Sequence, residues 1–350
     1  MPTQKHPLQI GLIGTGMIGR IQLPHCKVKS VADVNIESAR AAASEFGVPD
    51  VYADYHELLD DNAIDAVVVC TPPFLHKEMS RDALRAGKHV LCEKPFATDV
   101  ESANTMVAVA KETGYTLACC SARFRFTPVL KRATAMIANG EFGDVYFIRT
   151  VGIGRRGRPG LEYHPAARWF LDKNKAGGGA LMDWGCYDLD MLWGLLGGLR
   201  VESVTGFAFQ GVDAPDTGGY TFNVEEHGGA YIRCTDGLTI AWERASACHG
   251  HEEARTQVYG SRGGLQFRYV SWGTPFPTEY YHDDENGRPT TEALPETAAG
   301  SDIHRDVLYD FIDAVLEGRE PATTGKMAAE MVRITMAVYK AAAIRQTVQL

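Results

Sequence analysis

The chain has 350 residues, enough for about two domains at a prior of roughly 150 residues each, with ample apolar content for a core. A net charge of −9, a pI near 5.7 and the lack of any basic cluster argue against nucleic acid or an anionic membrane as a partner. Residues 1–7 lack the apolar core of a signal peptide. No apolar stretch approaches the ~18 residues of a membrane span. The eight cysteines (Cys26, Cys70, Cys92, Cys119, Cys120, Cys186, Cys234, Cys248) show no Cys-x-x-Cys or Cys/His ligand spacing, and several lie in apolar runs. A reducing cytoplasm is the expected setting, with no metal.

Residues 8–13 read as a buried parallel strand that runs straight into Gly14-x-Gly16-x-x-Gly19. Such a turn uses its first glycine for a tight bend, its second for close approach of backbone to a pyrophosphate and its third for helix–strand packing. Thr15, Met17 and Ile18 complete it. The following helix is expected to be short, about two turns, because Pro24 interrupts it. A second strand, 28–32, ends at Asp33, nineteen residues beyond Gly14. At that distance a carboxylate can accept from an adenosine ribose diol and repel a 2′-phosphate, which favours NAD. NADP is the alternative, since Lys27, Lys29 or Arg40 could lie by the same pocket, and Asp33 also reads as a turn residue before Asn35.

A helix over 39–46 stops at Gly47, a C′ glycine. Strand 64–70 closes at Thr71-Pro72-Pro73, helix 76–86 at Gly87, and strand 89–92 at Glu93-Lys94-Pro95. Strands alternating with helices on short connections predict a parallel sheet wound in βαβ units, whose ligands sit at the carboxyl ends of the strands. Asp33, Thr71 and Lys94 all fall on such ends. Helix 100–111, strand 116–121 and helix 128–139 follow.

From residue 144 the pattern becomes β-rich, over 145–153, 201–212, 230–246 and 254–270, broken by Gly218-Gly219, Asp236-Gly237 and Gly263-Gly264. One strong helix, about 180–196, interrupts it. This predicts a second, α+β domain with a largely antiparallel sheet, spanning 126–350 after a first domain over 1–125. Residues 271–300, rich in Pro, Thr, Gly and acid, are expected to form a loop. Two closing helices, about 302–317 and 325–345, carry apolar faces that imply packing, with a return to the first domain as one option.

Lys94 is the first candidate for chemistry. Pro95 behind it permits a cis bond, which would turn the lysine toward the ligand edge. The second informative stretch is Gly177-Gly178-Gly179 through Asp190. Three glycines suggest close approach of backbone to a flat ring. Asp183 and Tyr187, four apart, share one face of the helix that follows. An acid and a phenol need partners if buried, and a substrate hydroxyl and Lys94 would serve. Equally, Asp183 reads as a first-turn residue answering the helix dipole and Tyr187 as core. His76, His249 and His251 read as structural or surface residues.

The glycine turn, Cys70-Thr71-Pro72-Pro73 with His76, Glu93-Lys94-Pro95, the Gly177–Asp190 stretch and Glu317-Gly318-Arg319-Glu320-Pro321 together resemble the glucose-fructose oxidoreductase / inositol dehydrogenase (Gfo/Idh/MocA) family over nearly the whole chain. The resemblance implies a Rossmann domain, a second domain with an open mixed sheet often used for oligomerisation, and NAD(P)-linked redox chemistry on sugars or polyols. A homodimer or homotetramer is therefore expected. It puts Cys70, Thr71, Pro72, His76, Glu93 and Lys94 beside the cofactor, the catalytic lysine on Lys94 and the aspartate on Asp183. The family's usual histidine would fall at 187, where this chain has tyrosine. The branch resembling glucose-fructose oxidoreductase and dihydrodiol dehydrogenase also has tyrosine there, and Arg123-x-x-Phe126-x-Pro128 resembles that branch as well. Arg123 and Trp169 are then candidate substrate contacts, with Arg155, Arg156, Arg158 and His164 as further residues of the substrate side.

On that reading Tyr187 is the general acid/base. A free phenol near pKa ~10 is too weak a base at neutral pH without a cation beside it, and Lys94 supplies one. Two rivals are a regulator that senses cofactor without catalysis, and an NAD-dependent glycosidase on the same fold.

Overall fold

A computed structural model describes residues 8–270, 276–295 and 302–350. The expectation for residues 1–7, and parts of the expected 271–300 loop, lie outside the described residues. The chain forms two compact units, one running to Arg123 and taking in Asp302–Glu330, the other running from Phe124 and taking in Met331–Leu350.

In the first unit, strands β1 (Ile10–Ile13), β2 (Val28–Ala32), β3 (Asp50–Tyr52), β4 (Ala66–Val69), β5 (His89–Cys92) and β6 (Leu117–Cys119) make a parallel sheet in the order β3-β2-β1-β4-β5-β6. β1 and β4 are buried along their whole length, as unbroken apolar runs require in a sheet covered on both faces. Helices α1 (Met17–Gln22), α2 (Ile36–Phe46), α3 (Tyr55–Leu59), α4 (His76–Arg85) and α5 (Val100–Thr113) connect the strands. Local chemistry sets their ends. Asn35 caps α2 by accepting from the Ser38 N–H, and α2 stops at Gly47 with φ +69°. Asp99 caps α5 through the Ser102 N–H at 2.7 Å, and α5 stops at Gly114 with φ +76°. α1 is short, as Pro24 foretold: a 3₁₀ turn, Leu23–His25, replaces its continuation. β3 and α3 were not anticipated. Both are brief, below the length at which periodicity is legible.

The second unit is built on a nine-stranded sheet of β7 (Val145–Ile153), β8 (Val201–Phe209), β9 (His227–Cys234), β10 (Thr239–Ala245), β11 (Glu253–Gly260), β12 (Gly263–Phe267), β13 (Thr278–Asp283), β14 (Pro289–Leu294) and β15 (Val348–Gln349). β7 and β10 pair in parallel and the remaining pairings are antiparallel. One face buries Ile148, Ile232, Ile240, Trp242, Val258, Leu265 and Phe267. Its helices are α6 (Pro128–Ala138), α7 (Lys173–Ala176), α8 (Ala180–Asp183) and α9 (Gly185–Leu196), with α8 against β9 and β10 and α6 against α9. The other face carries an exposed aromatic and polar array: Phe207, Phe209, Tyr231, Tyr259 and Tyr281 beside the Arg149–Glu253 pair.

Two expectations are corrected here. Residues 278–294 form the hairpin β13–β14, not loop; its polar alternation is that of an edge ribbon with half-exposed faces. The turn between β11 and β12 is at Ser261 and Arg262, and Gly263 and Gly264 lie inside β12.

Of the closing helices, α10 (Ile303–Glu317) belongs to the first unit. It is capped by Asp302, which accepts from the His304 and Arg305 N–H groups, and it inserts Leu308 and Phe311 among Leu12, Val28 and Val31. α11 (Gly325–Ile344) begins beside β6, where Gly325 lies against Leu117, and the division between the units falls within it.

Candidate active site

The carboxyl ends of β1, β2, β4 and β5 carry the first unit's candidates. At the end of β1, Gly14 has φ +95°, and a Cβ there would sit 2.8 Å from the Cys70 carbonyl oxygen. A Cβ on Gly19 would overlap the Gly14 carbonyl oxygen, so only glycine lets α1 start against this turn. Gly16 differs: a Cβ there would meet no atom of the protein within 4 Å. Glycine at 16 is not required by the fold, and the space beside it is open.

Asp33 fastens this turn to β2. Its Oδ2 accepts from the Thr15 N–H at 2.8 Å and the Thr15 hydroxyl at 3.0 Å, while Oδ1 accepts from the Asn35 N–H at 2.9 Å. The turn reading of Asp33 is thereby present in the fold, and the lone pair left on Oδ1 still leaves room for a ribose hydroxyl. Thr15, expected at the cofactor, is fully buried with its N–H and hydroxyl committed to Asp33 and Ser38, so it shapes the turn from within. Lys29 is held by Asp50 and Asp61, which takes it out of consideration for a 2′-phosphate, while Arg40 meets Glu37 in an exposed pair one turn apart on α2. Met17 is exposed at the mouth of the turn.

At the ends of β4 and β5, His76 is completely buried. Its Nε2 lies 2.8 Å from the Thr71 carbonyl and its Nδ1 3.0 Å from the Pro95 carbonyl. It links two loops from inside, and burial lowers its pKa. The Lys94–Pro95 peptide is cis. Glu93 is buried and accepts from the Lys94 N–H at 3.1 Å, from Gln22 at 3.3 Å and from the Arg123 guanidinium. Burial alone would raise its pKa, but Arg123 and the Lys94 amide outweigh burial and hold it below the usual carboxylate value. Arg123, expected on the substrate side, is instead buried in the first unit against Glu93. Glu93 likewise faces inward, behind Lys94. The α10 residue His304 adjoins this pair, and burial together with the Arg123 charge depresses its pKa to about 4.

In the second unit Asp183 closes α8 and Tyr187 lies in the first turn of α9; they are 7% and 4% exposed. The expected single helix is interrupted at Trp184, where Gly185 packs so tightly on Trp242 that no Cβ fits. Tyr187 receives the edge of Phe124 at 5.0 Å and lies 5.4 Å from the Trp184 ring. The three glycines before α8 are explained by protein, not by a flat ligand. Gly177 ends α7 with φ +82°, the Tyr339 phenol occupies the Cβ position of Gly178, and the Glu225 carbonyl that of Gly179. Glu225 accepts from the Gly179 N–H at 2.6 Å, the Leu181 N–H at 2.9 Å and the Tyr339 hydroxyl at 2.7 Å, and burial raises its pKa.

Trp169 is half-buried in a 3₁₀ turn, stacked on Phe170 at 3.7 Å. Arg158 is buried, bound to Glu162, Glu226 and the Val212 carbonyl, so it braces the loop. Sequence reasoning missed a buried group beneath Tyr187. Asp188 accepts from Trp242 Nε1 at 2.8 Å, from the Tyr269 hydroxyl at 2.6 Å and from Arg244 at 2.5 Å through both Nε and Nη2. Arg244 lies 56 residues from Asp188 in sequence, beyond any spacing rule. Among the described residues no group of three or more His, Cys, Asp or Glu could hold a metal. Also among them, no helix is long and apolar enough to cross a membrane.

Residues 8–120 match the model of an oxidoreductase family with an NAD-binding Rossmann fold, and residues 130–266 match the GFO/IDH/MocA C-terminal domain. The chain is 29% identical to 1,5-anhydro-D-fructose reductase of Ensifer adhaerens over 97% of this chain and 98% of that protein. It is 27% identical to myo-inositol 2-dehydrogenase of Thermotoga maritima, covering 91% of each. A levoglucosan dehydrogenase solved with NADH and levoglucosan superposes with a TM-score of 0.85, at 24% identity, covering 98% of this chain and 99% of that one.

Two outcomes test the first unit's site. Gly16→Ala should fold normally and weaken NADH binding at least ~10-fold. Gly19→Ala should lose roughly 1–3 kcal/mol of stability by overpacking, measured by urea unfolding beside a nucleotide titration. For His304, a folded pKa below the unfolded ~6.5 means stability is fully present above pH ~6.5 and is lost as pH falls toward the folded value of about 4. His304→Gln should flatten the melting temperature over that window, and an unchanged slope would refute the assignment.

Proposed function

The chain belongs to the Gfo/Idh/MocA family of NAD-binding oxidoreductases, and on that premise we propose that it moves a hydride between nicotinamide and a secondary hydroxyl or carbonyl of a sugar or polyol. The observation that carries this reading is Gly16. Of the three glycines in the turn it alone has no packing reason to lack a side chain, and a pyrophosphate against its backbone supplies one. Gly14, Met17, Ile18 and Gly19 complete that cradle, Asp33 receives the ribose, and Cys70, Thr71 and Pro72 border the cofactor. With a carboxylate at Asp33 and Lys29 already paired, NAD is preferred over NADP.

Bound nicotinamide supplies the hydride acceptor or donor. Tyr187 takes the hydroxyl proton as the substrate is oxidised and returns it to the forming alkoxide in the reverse direction. The Lys94 ammonium is the cation that a phenol needs to serve as a base near neutral pH, and it polarises the carbonyl. Asp183 orients the reacting hydroxyl. Relatives named for 1,5-anhydro-D-fructose and myo-inositol support cyclic polyols and sugars as the substrate class.

The exposed aromatic face of the nine-stranded sheet supports a homo-oligomer, and eight free thiols, seven of them buried, support a reducing cytoplasm. Light scattering should give a dimer or tetramer that Tyr231→Glu weakens. A wild-type monomer at micromolar concentration, or fractionation into an oxidising compartment, would count against these two points.

The reaction itself is tested by absorbance at 340 nm with aldoses, inositols and anhydrosugars, each with NAD and with NADP. Turnover with one substrate group, faster with NAD, is expected. Lys94→Ala and Tyr187→Phe should each lower kcat at least ~100-fold, in line with the usual contribution of a general acid/base, and leave NADH affinity within a few-fold. A fully active Tyr187→Phe would place the base elsewhere.

A further inference from the structure

The second unit holds a cavity of about 320 Å³ at the carboxyl ends of β7 and β10, within the size range of small-molecule sites, roughly 300–1,000 Å³. Gly152, Gly154, Gly157, Trp184, Arg244 and Tyr269 supply much of its wall. Glycine and aromatic surfaces together suit a sugar ring, which presents C–H faces and a rim of oxygens.

Arg244 is the unusual member. Its Nε and Nη2 are fixed on Asp188, and Nη2 also donates to the Tyr269 hydroxyl at 2.5 Å. Its guanidinium lies 5.8 Å from the Trp184 ring centre. Nη1 has no partner among the described residues. Gly152 keeps that nitrogen clear, since a Cβ at 152 would overlap it. A guanidinium locked on one edge and open on the other is an oriented donor, best matched by a carboxylate. The cavity wall also includes Arg268 and the ion pair of Arg255 with Glu253, its one acidic lining residue, in a chain of net charge −9.

We infer that this cavity receives the sugar and that Arg244 donates from Nη1 to a carboxylate oxygen of it, making sugar acids the substrate class. The inference rests on the oxidoreductase reading above and deepens it. Asp188 and Tyr269 act through Arg244: they hold its plane and leave one edge for the ligand.

The experiment is calorimetric titration of the NADH-loaded protein with D-glucuronate and D-galacturonate, and with D-glucose and D-galactose as uncharged counterparts. An acid should bind at least ~10-fold tighter than its aldose. Arg244→Lys, which keeps a cation for Asp188 but lacks the fork, should abolish that preference. Gly157→Leu serves as the control for folding, because a Cβ at 157 lies 3.9 Å from its nearest neighbour, the Ser246 carbonyl. Its side chain should fill the cavity and abolish sugar binding while NADH affinity and melting temperature hold. Equal binding of acid and aldose, binding of neither, or an unaffected Gly157→Leu would each overturn the inference. Failure of the parent reading looks different: an acid would still be selected while no sugar, polyol or sugar acid gave turnover of NAD or NADP.

Discussion

A carboxylate taken out of water must be given donors for its oxygens, or it costs several kcal/mol. This protein meets that demand at each point where a loop has to keep one shape. Asp33 holds the glycine turn through Thr15. Glu93 holds the Lys94 amide and is itself held by Gln22 and Arg123. Glu225 holds the start of α8 through the Gly179 and Leu181 amides, and Asp188 holds Arg244. In each case removing one partner strands a buried charge or an orphaned donor, so these loops are fixed by what they cannot afford to lose.

The same anchors explain what could be read in the sequence and what could not. The alternation of apolar strands with capped helices is local, and so is the Gly14, Gly16, Gly19 spacing; both were legible, as were Pro24 ending α1 and Asp33 ending β2. The partners of the buried carboxylates are 30, 44 to 46 and 56 residues away in sequence. No periodicity encodes such pairs. Arg123 therefore read as a substrate contact, and nothing local in the sequence announces its buried ion pair with Glu93. The glycines at 177–179 read as space for a flat ring when Tyr339 and Glu225 fill that space. The β13–β14 ribbon was missed for another reason: a half-exposed edge hairpin has the polar composition of a loop.

Gly16 and Gly178 make the contrast plain. Both are glycines in short glycine-rich stretches, and sequence alone assigns them the same purpose. Geometry separates them, because a Cβ at 178 collides with the Tyr339 phenol while a Cβ at 16 meets nothing. Absence of a side chain points to a ligand only after protein packing has been subtracted. By that test the first unit keeps room for something outside the fold, and the glycines before α8 do not.

Tyrosine at 187 alters what its surroundings must provide. An imidazole titrates near neutrality, so as a base it needs water or hydrogen-bond partners to stabilise either form. A phenol is neutral and largely apolar at pH 7, and it packs into an aromatic setting without penalty, as the Phe124 edge and the Trp184 ring show. That setting excludes water well. On the proposed reading of Tyr187 as the base, a cation has to supply the base strength that an imidazole has from its own pKa. Lys94, whose backbone amide donates to the buried Glu93, is the cation proposed for it. Histidine-to-tyrosine exchange at this position then replaces a base that titrates near neutrality with one that depends on a second residue.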